Sequence, residues 1–176
     1  MSLTLVRHTS VGLPSGICYG QTDAPLAETY PEEWAETVRR LGDLGRFTKV
    51  YSSPLTRCLS FARKYFGVVE TDARLMELDF GAFEGLSWQE IFERADGKRW
   101  FDNYLDCPTP GGESYAQMTA RVRSFYEDKI AGKEGDILLV THSGVLRAFL
   151  IILQGYTPGE AMDAEIGYGE VLTFDL

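Results

Sequence analysis

The chain has 176 residues, 44% apolar and 24% charged, with a net charge of −9. This is the size and make-up of one globular domain with a sizeable core. The acidic balance excludes an extended nucleic-acid surface, which needs a basic face. The longest apolar run, 145–153, is broken by Arg147 and falls short of a membrane span.

Residues 3–7 read as a buried strand, followed by a long loop over 8–30 with Gly12, Pro14, Gly16, Gly20 and Pro25. Loops of that length inside a domain usually carry function. Pro31 suits the first position of a helix running to about Leu44. Residues 49–52 form a short strand. Ser53 then serves as N-cap, with Pro54 opening a helix to about Phe66. Val68 to Thr71 reads as a third strand, and 74–86 as irregular chain. Ser87 to Glu90 and Ser114 to Gln117 are capping boxes. The first starts a helix at about 88, with a second helical piece over Lys98 to Leu105. The other opens a helix to about Ala131. Asp136 to Thr141 is a strand, Gly144 to Gln154 a helix closed by Gly155, and Glu170 to Asp175 an edge strand. Alternating strands and helices predict an α/β three-layer sandwich: a mostly parallel central sheet with helices on both faces. No linker divides the chain, so a single domain over 1–176 is expected, with 86–113 as a helical lid.

Cys18, Cys58 and Cys107 are odd in number and lack metal-ligand spacing, so they are expected as free thiols in a reducing cytoplasm. No basic, cleavable N-terminal segment is present, and no signal peptide is expected. With two histidines and no tight carboxylate cluster, neither a metal nor a cofactor is expected.

Those two histidines, His8 and His142, each follow an apolar strand-like run. Both therefore fall at the carboxyl edge of a parallel sheet, where ligands bind. Arg7 beside His8 offers a planar fork for phosphate oxygens, and a histidine next to a phosphoryl group can be its nucleophile. Arg57, in the segment Ser52-Ser53-Pro54-Leu55-Thr56-Arg57, lies in the first turn of its helix. A cation there is unfavourable unless an anion sits between. Glu77 and Glu84 lie among apolar residues in a glycine-containing loop, and both are candidate proton donors. In Thr141-His142-Ser143-Gly144-Val145-Leu146-Arg147, the N–H groups of Ser143 and Gly144 would face an anion at a helix start. Each signal has an ordinary structural explanation, as ion pair, cap or core histidine.

Taken together, in this order across residues 3–147, the four segments resemble the histidine phosphatase superfamily, also called phosphoglycerate-mutase-like. The stretch from Arg7 through Gly20-Gln21-Thr22-Asp23-Ala24-Pro25-Leu26 is most similar to its α-ribazole phosphatase branch, which serves the cobalamin nucleotide loop. The resemblance implies a catalytic set of His8, Glu77, His142, Arg7 and Arg57. His8 would be the nucleophile. Arg7, Arg57, His142 and Ser143 would hold phosphoryl oxygens, and Glu77 would serve as proton donor and then as base. It departs from the family pattern at Thr9, where glycine is common, and in lacking a second glycine after Ser143-Gly144. The asparagine of mutase-type members is also not seen around Val11 to Pro14.

This set implies phosphoryl transfer by positioning and fixed positive charge, with His8 neutral and His142 charged, the two arginines depressing one imidazole pKa and the bound phosphate dianion raising the other. The expected partner is a small phosphorylated metabolite; no nucleic acid or membrane is expected. Tyr19 and Gln21 are expected to shape the leaving-group pocket, and the aromatic segment 88–104 to be mainly core. Three alternatives stand: a phosphoglycerate mutase, a non-catalytic phospho-ligand module, and a serine hydrolase at Ser114. The last lacks the strand that must precede such a serine.

Overall fold

The sequence of strand β4 (Asp136–Thr141) sets out the architecture. Its alternate residues face opposite ways, as the two-residue period of a strand requires. Ile137 and Leu139 enter one core with Leu3 and Leu5, and Leu138 and Val140 enter a second with Val6 and Val50. A strand apolar on both faces is covered on both faces. The computed structural model, which describes residues 1–176, supplies both covers.

The sheet runs β3-β2-β4-β1-β5, with β1 Ser2–Arg7, β2 Phe47–Ser52, β3 Glu70–Thr71 and β5 Val171–Asp175. All neighbours are parallel except β5, which pairs antiparallel with β1 at the edge. One face is covered by α1 (Tyr30–Leu41) and α2 (Thr56–Phe66), through Trp34, Leu41, Cys58, Phe61 and Ala62. The other is covered by α5 (Tyr115–Lys129) and α6 (Ser143–Gln154), through Met118, Val122, Phe125, Val145 and Phe149. Between them α3 (Trp88–Glu93) and α4 (Ala95–Asp102) pack against that larger core. This is the predicted three-layer α/β sandwich. No helix is long and apolar enough to cross a membrane.

Both capping boxes predicted at Ser87 and Ser114 form. Several boundaries differ from expectation. Helix α1 stops at Leu41 because Gly42 takes φ 72°, a conformation that ends helices cheaply. Helix α2 starts at Thr56, not Pro54, and Ser53 does not cap it. Its opening turn is held instead by Asp23, whose carboxylate accepts from the Thr56 N–H and hydroxyl at 2.8 and 2.6 Å. The short β3 omits Val68, which is exposed, and the second piece of the 86–113 segment is Ala95–Asp102 rather than 98–105. A seventh helix, α7 (Pro158–Asp163), was not predicted, although Thr157 and Glu160 form a capping box with Pro158 at the first position.

Candidate active site

Strand register brings the two histidines together. Arg7 pairs with Thr141 across β1 and β4, so the next residues, His8 and His142, leave the sheet side by side. Their ring centroids are 5.1 Å apart. On the far side of β4, Ser52 pairs with Val140, and Ser53 donates its N–H to the Val140 carbonyl. The three parallel strands thus end level, and their last residues form one floor.

His8 is 3% exposed. Its Nδ1 lies 2.7 Å from the Thr9 carbonyl, which can only accept, so Nδ1 carries the proton and Nε2 keeps a free lone pair. Burial first, then the Arg57 charge, holds its pKa well below the usual histidine value. Thr9 is itself buried and accepts from Trp34 Nε1 at 3.1 Å.

His142 is fully buried. The Arg57 Nε–H donates to its Nδ1 at 3.3 Å, so its proton sits on Nε2 and is given to Ser53 Oγ at 2.8 Å. Burial, followed by the Arg57 charge, holds its pKa well down as well. The charged form of His142 is expected from a bound phosphate dianion; the protein's own groups favour the neutral ring, because burial penalises the cation and Arg57 already donates to Nδ1. Ser53, expected as a helix cap, is instead the partner that fixes this imidazole.

Arg57 is fully buried with no carboxylate partner. Besides His142 it donates to the carbonyls of Thr22 and Gly20 at 2.8 and 2.6 Å. Three of its five N–H groups are spent on position. Arg7 also lacks an acidic partner. Its Nη1 donates to the Ile166 carbonyl at 2.6 Å, and its Nε is enclosed without any acceptor. Uncompensated buried guanidinium groups are costly unless an anion completes them.

The two candidate carboxylates separate cleanly. Glu84 binds the N–H groups of Gln21, Thr22 and Phe80 at 2.9, 2.7 and 3.2 Å and also accepts from the Thr22 hydroxyl. It is the knot that ties loop 19–22, and Gly20 has φ 35° against it, with no room for a Cβ. Glu77 faces the cavity. Its carboxylate accepts from Leu78 N at 2.9 Å, Gly144 N at 3.3 Å and Ser143 Oγ at 3.5 Å. Ser143 and Gly144, expected to face phosphate, meet Glu77 in this structure; a Cβ at Gly144 would collide with that carboxylate.

Beside this floor, meeting it at Arg7, lies a cavity of about 660 Å³; His8, Arg57 and His142 sit behind its lining. Arg7, Glu77, Ser143, Gly144 and Arg147 line its polar side, and Phe80, Trp88, Trp100, Phe101, Tyr104 and Tyr115 its aromatic side. Tyr19 lines it. Gln21 does not; its side-chain amide donates to the Glu77 carbonyl at 3.0 Å. The 88–104 aromatics do two jobs. They pack on the core, as expected, and also wall the cavity.

Two positions escaped sequence reasoning. Arg121 on α5 donates to the carbonyls of Arg74, Met76 and Glu77 at 2.8, 2.8 and 2.9 Å, clamping the strandless segment that carries Glu77. Tyr168 lies against Arg7 and His8. No motif marks either one.

A metal-independent phosphoserine phosphatase of Arabidopsis thaliana is 32% identical over 176 residues, covering 93% of this chain and 74% of that protein. A 2,3-bisphosphoglycerate-dependent phosphoglycerate mutase of Brucella melitensis biotype 2 is 29% identical, covering 99% of this chain and 92% of that one. A solved structure from Escherichia coli str. K-12 substr. MG1655, described as a candidate alpha-ribazole-5'-P phosphatase, superposes with a TM-score of 0.87 at 22% identity. It covers 98% of this chain and 89% of its own, and shows the shared fold. The model of the histidine phosphatase superfamily (branch 1) matches residues 3–176, and this chain belongs to that family.

Proposed function

We propose that this protein is a metal-independent phosphomonoesterase that works through a phosphohistidine at His8, with α-ribazole 5′-phosphate as the favoured substrate. One observation carries the reading. Two guanidinium groups without acidic partners flank a buried, neutral histidine whose Nε2 is unprotonated.

A phosphoryl group placed there completes Arg7 and the two spare N–H groups of Arg57. His8 Nε2 attacks phosphorus while the P–O bond to the leaving group breaks. Glu77 gives its proton to the leaving oxygen. Water then attacks the phosphohistidine, Glu77 takes its proton, and His8 is regenerated with release of phosphate. The dianion, once bound, favours the charged form of His142; a proton taken at Nδ1 displaces the Arg57 Nε–H, which is then free to turn to the phosphoryl oxygens. Positioning and electrostatics do most of the work in such transfers.

The substrate assignment rests on the aromatic wall. A cavity of about 660 Å³ falls within the range of small-molecule sites. Six aromatic side chains suit a planar leaving group better than a short polar one. A second reading, phosphoserine as substrate, is favoured by the relative named for that activity. Phosphoglycerate mutase is the weaker reading, since the asparagine of mutase-type members is missing after His8.

The test is acid-labile labelling together with a substrate comparison. The native protein should carry labelled phosphate on His8, and His8→Ala should lose turnover by at least about 10⁴-fold while remaining folded. EDTA should leave activity unchanged. A His8→Ala variant with near-native activity overturns the mechanism; reversible phosphate binding without label makes the protein a module. A kcat/KM for phosphoserine above that for α-ribazole 5′-phosphate replaces the substrate assignment but not the mechanism.

A further inference from the structure

The segment 164–170, between α7 and β5, holds none of the family segments, yet it touches the site at four points. The Ile166 carbonyl accepts from Arg7 Nη1, and the Glu170 carbonyl accepts from the Arg7 N–H at 3.0 Å. The Gly169 N–H donates to the His8 carbonyl at 3.3 Å. The Tyr168 ring lies under the Arg7 guanidinium, 4.0 Å from its centre. On the opposite side, the Arg57 guanidinium lies 5.1 Å from the centre of the Tyr19 ring. The two tyrosine hydroxyls meet at 3.1 Å, and both rings contact His8, at 5.7 and 6.5 Å between centroids.

We infer that Tyr168 is a positioning residue for phosphoryl transfer: through its ring it aims Arg7, and through its hydroxyl bond to Tyr19 it fixes the spacing between Arg7 and Arg57. This rests on the phosphoryl chemistry proposed at His8. The two arginines need this help unequally. Arg57 is fully buried and spends three donors on two carbonyls and an imidazole. Arg7 has one side-chain hydrogen bond and an enclosed Nε without an acceptor, so the face of the Tyr168 ring is its second support. Tyr168 is 42% exposed, which places it outside the core. Its loss should therefore register in anion binding and not in folding.

The experiment uses the full chain with Tyr168→Leu, Tyr168→Phe, Tyr19→Phe and the double Tyr→Phe variant. Turnover of p-nitrophenyl phosphate, inhibition by inorganic phosphate, and thermal unfolding are each read. Tyr168→Leu should weaken phosphate inhibition about tenfold and lower kcat/KM by about ten- to a hundredfold. Its midpoint of unfolding should stay within about 2 °C of native. Tyr168→Phe keeps the ring and should lose only about threefold, and the double variant should be no worse than either single one, because all three remove the same hydroxyl bond. Phosphate inhibition in Tyr168→Leu within about twofold of native overturns the inference, as does additive loss in the double variant. Should Tyr168→Leu still label His8 with native affinity, only the brace fails. Should His8→Ala turn over, the underlying chemistry fails.

Discussion

The histidine–arginine floor and the aromatic wall of the cavity beside it are held by different forces. On the floor, hydrogen bonds fix the side chains: His8 to the Thr9 carbonyl, Arg57 to those of Gly20 and Thr22, Arg7 to that of Ile166, and His142 to Arg57 and the Ser53 hydroxyl. Most of these partners are main-chain groups at strand ends and in the loops next to them. On the wall, rings hold rings. Trp88 stacks on Trp100 at 6.3 Å and 19°, Phe80 meets both edge-on, and Phe101 and Tyr104 follow. A floor of this kind suits invariant chemistry, which needs atoms fixed to fractions of an ångström. A wall of this kind suits specificity, since apolar packing tolerates substitution provided volume is kept.

Glu77→Gln cuts deepest into this comparison. Glu77 sits where floor meets wall, its backbone clamped by Arg121 and Gln21 and its carboxylate on the first turn of α6. Glutamine keeps the shape and loses the proton. Turnover of alkyl phosphomonoesters should fall by about 10²–10⁴, while p-nitrophenyl phosphate, whose leaving group needs no proton, should lose far less in the labelling step. Equal losses on both substrates would move Glu77 from proton transfer to positioning.

The contrast also explains what could be read from sequence. His8 and His142 were legible because they are the only histidines and each follows an apolar strand. Parallel register then does the rest. Arg57 was legible by its segment, although its helix begins two residues later than Pro54 suggests, since Asp23 caps that helix across a gap of more than thirty residues. Long-range caps leave no local pattern. Tyr168 and Arg121 were illegible for the same reason: a tyrosine in a loop and an arginine on a helix are ordinary until the partner is seen. The wall was half legible, because aromatics that face a cavity and aromatics that face a core have the same spacing. Gln21 was misplaced by one layer, on Glu77's backbone and not in the cavity.

The floor also has a consequence for stability. Both histidines are buried with pKa values well below the ordinary 6.5, so the folded protein leaves them neutral where the unfolded chain protonates them. Their contribution is complete above pH 6.5 and is lost as pH falls from 6.5 toward the folded-state values. In that window each should cost about 1.4 kcal/mol per pH unit, or about a hundredfold per unit in the folding constant for the pair. Urea unfolding between pH 6.5 and 5.5, above the range of ordinary carboxylates, would measure the slope. His8→Asn should halve it, and saturating phosphate should flatten it by supplying the counter-charge. A slope unchanged in His8→Asn would mean that His8 is already protonated in the folded state.

Trp88→Leu makes the finest cut, because it touches the wall alone. Leucine fills much of the lost volume, so the fold should persist, but the flat surface beside Trp100 is gone. If the wall reads a planar leaving group, kcat/KM for α-ribazole 5′-phosphate should drop about tenfold, the scale of one stacking contact. Values for phosphoserine and for inhibition by inorganic phosphate should stay near native, since the floor does not feel Trp88. A parallel fall in all three would mean that floor and wall are coupled, and that the rings serve to hold the site closed. In that case the tolerance of apolar packing argued above would end at this cluster, and substrate preference would have to lie in the polar side of the cavity, where Arg147 stands one helical turn beyond Gly144.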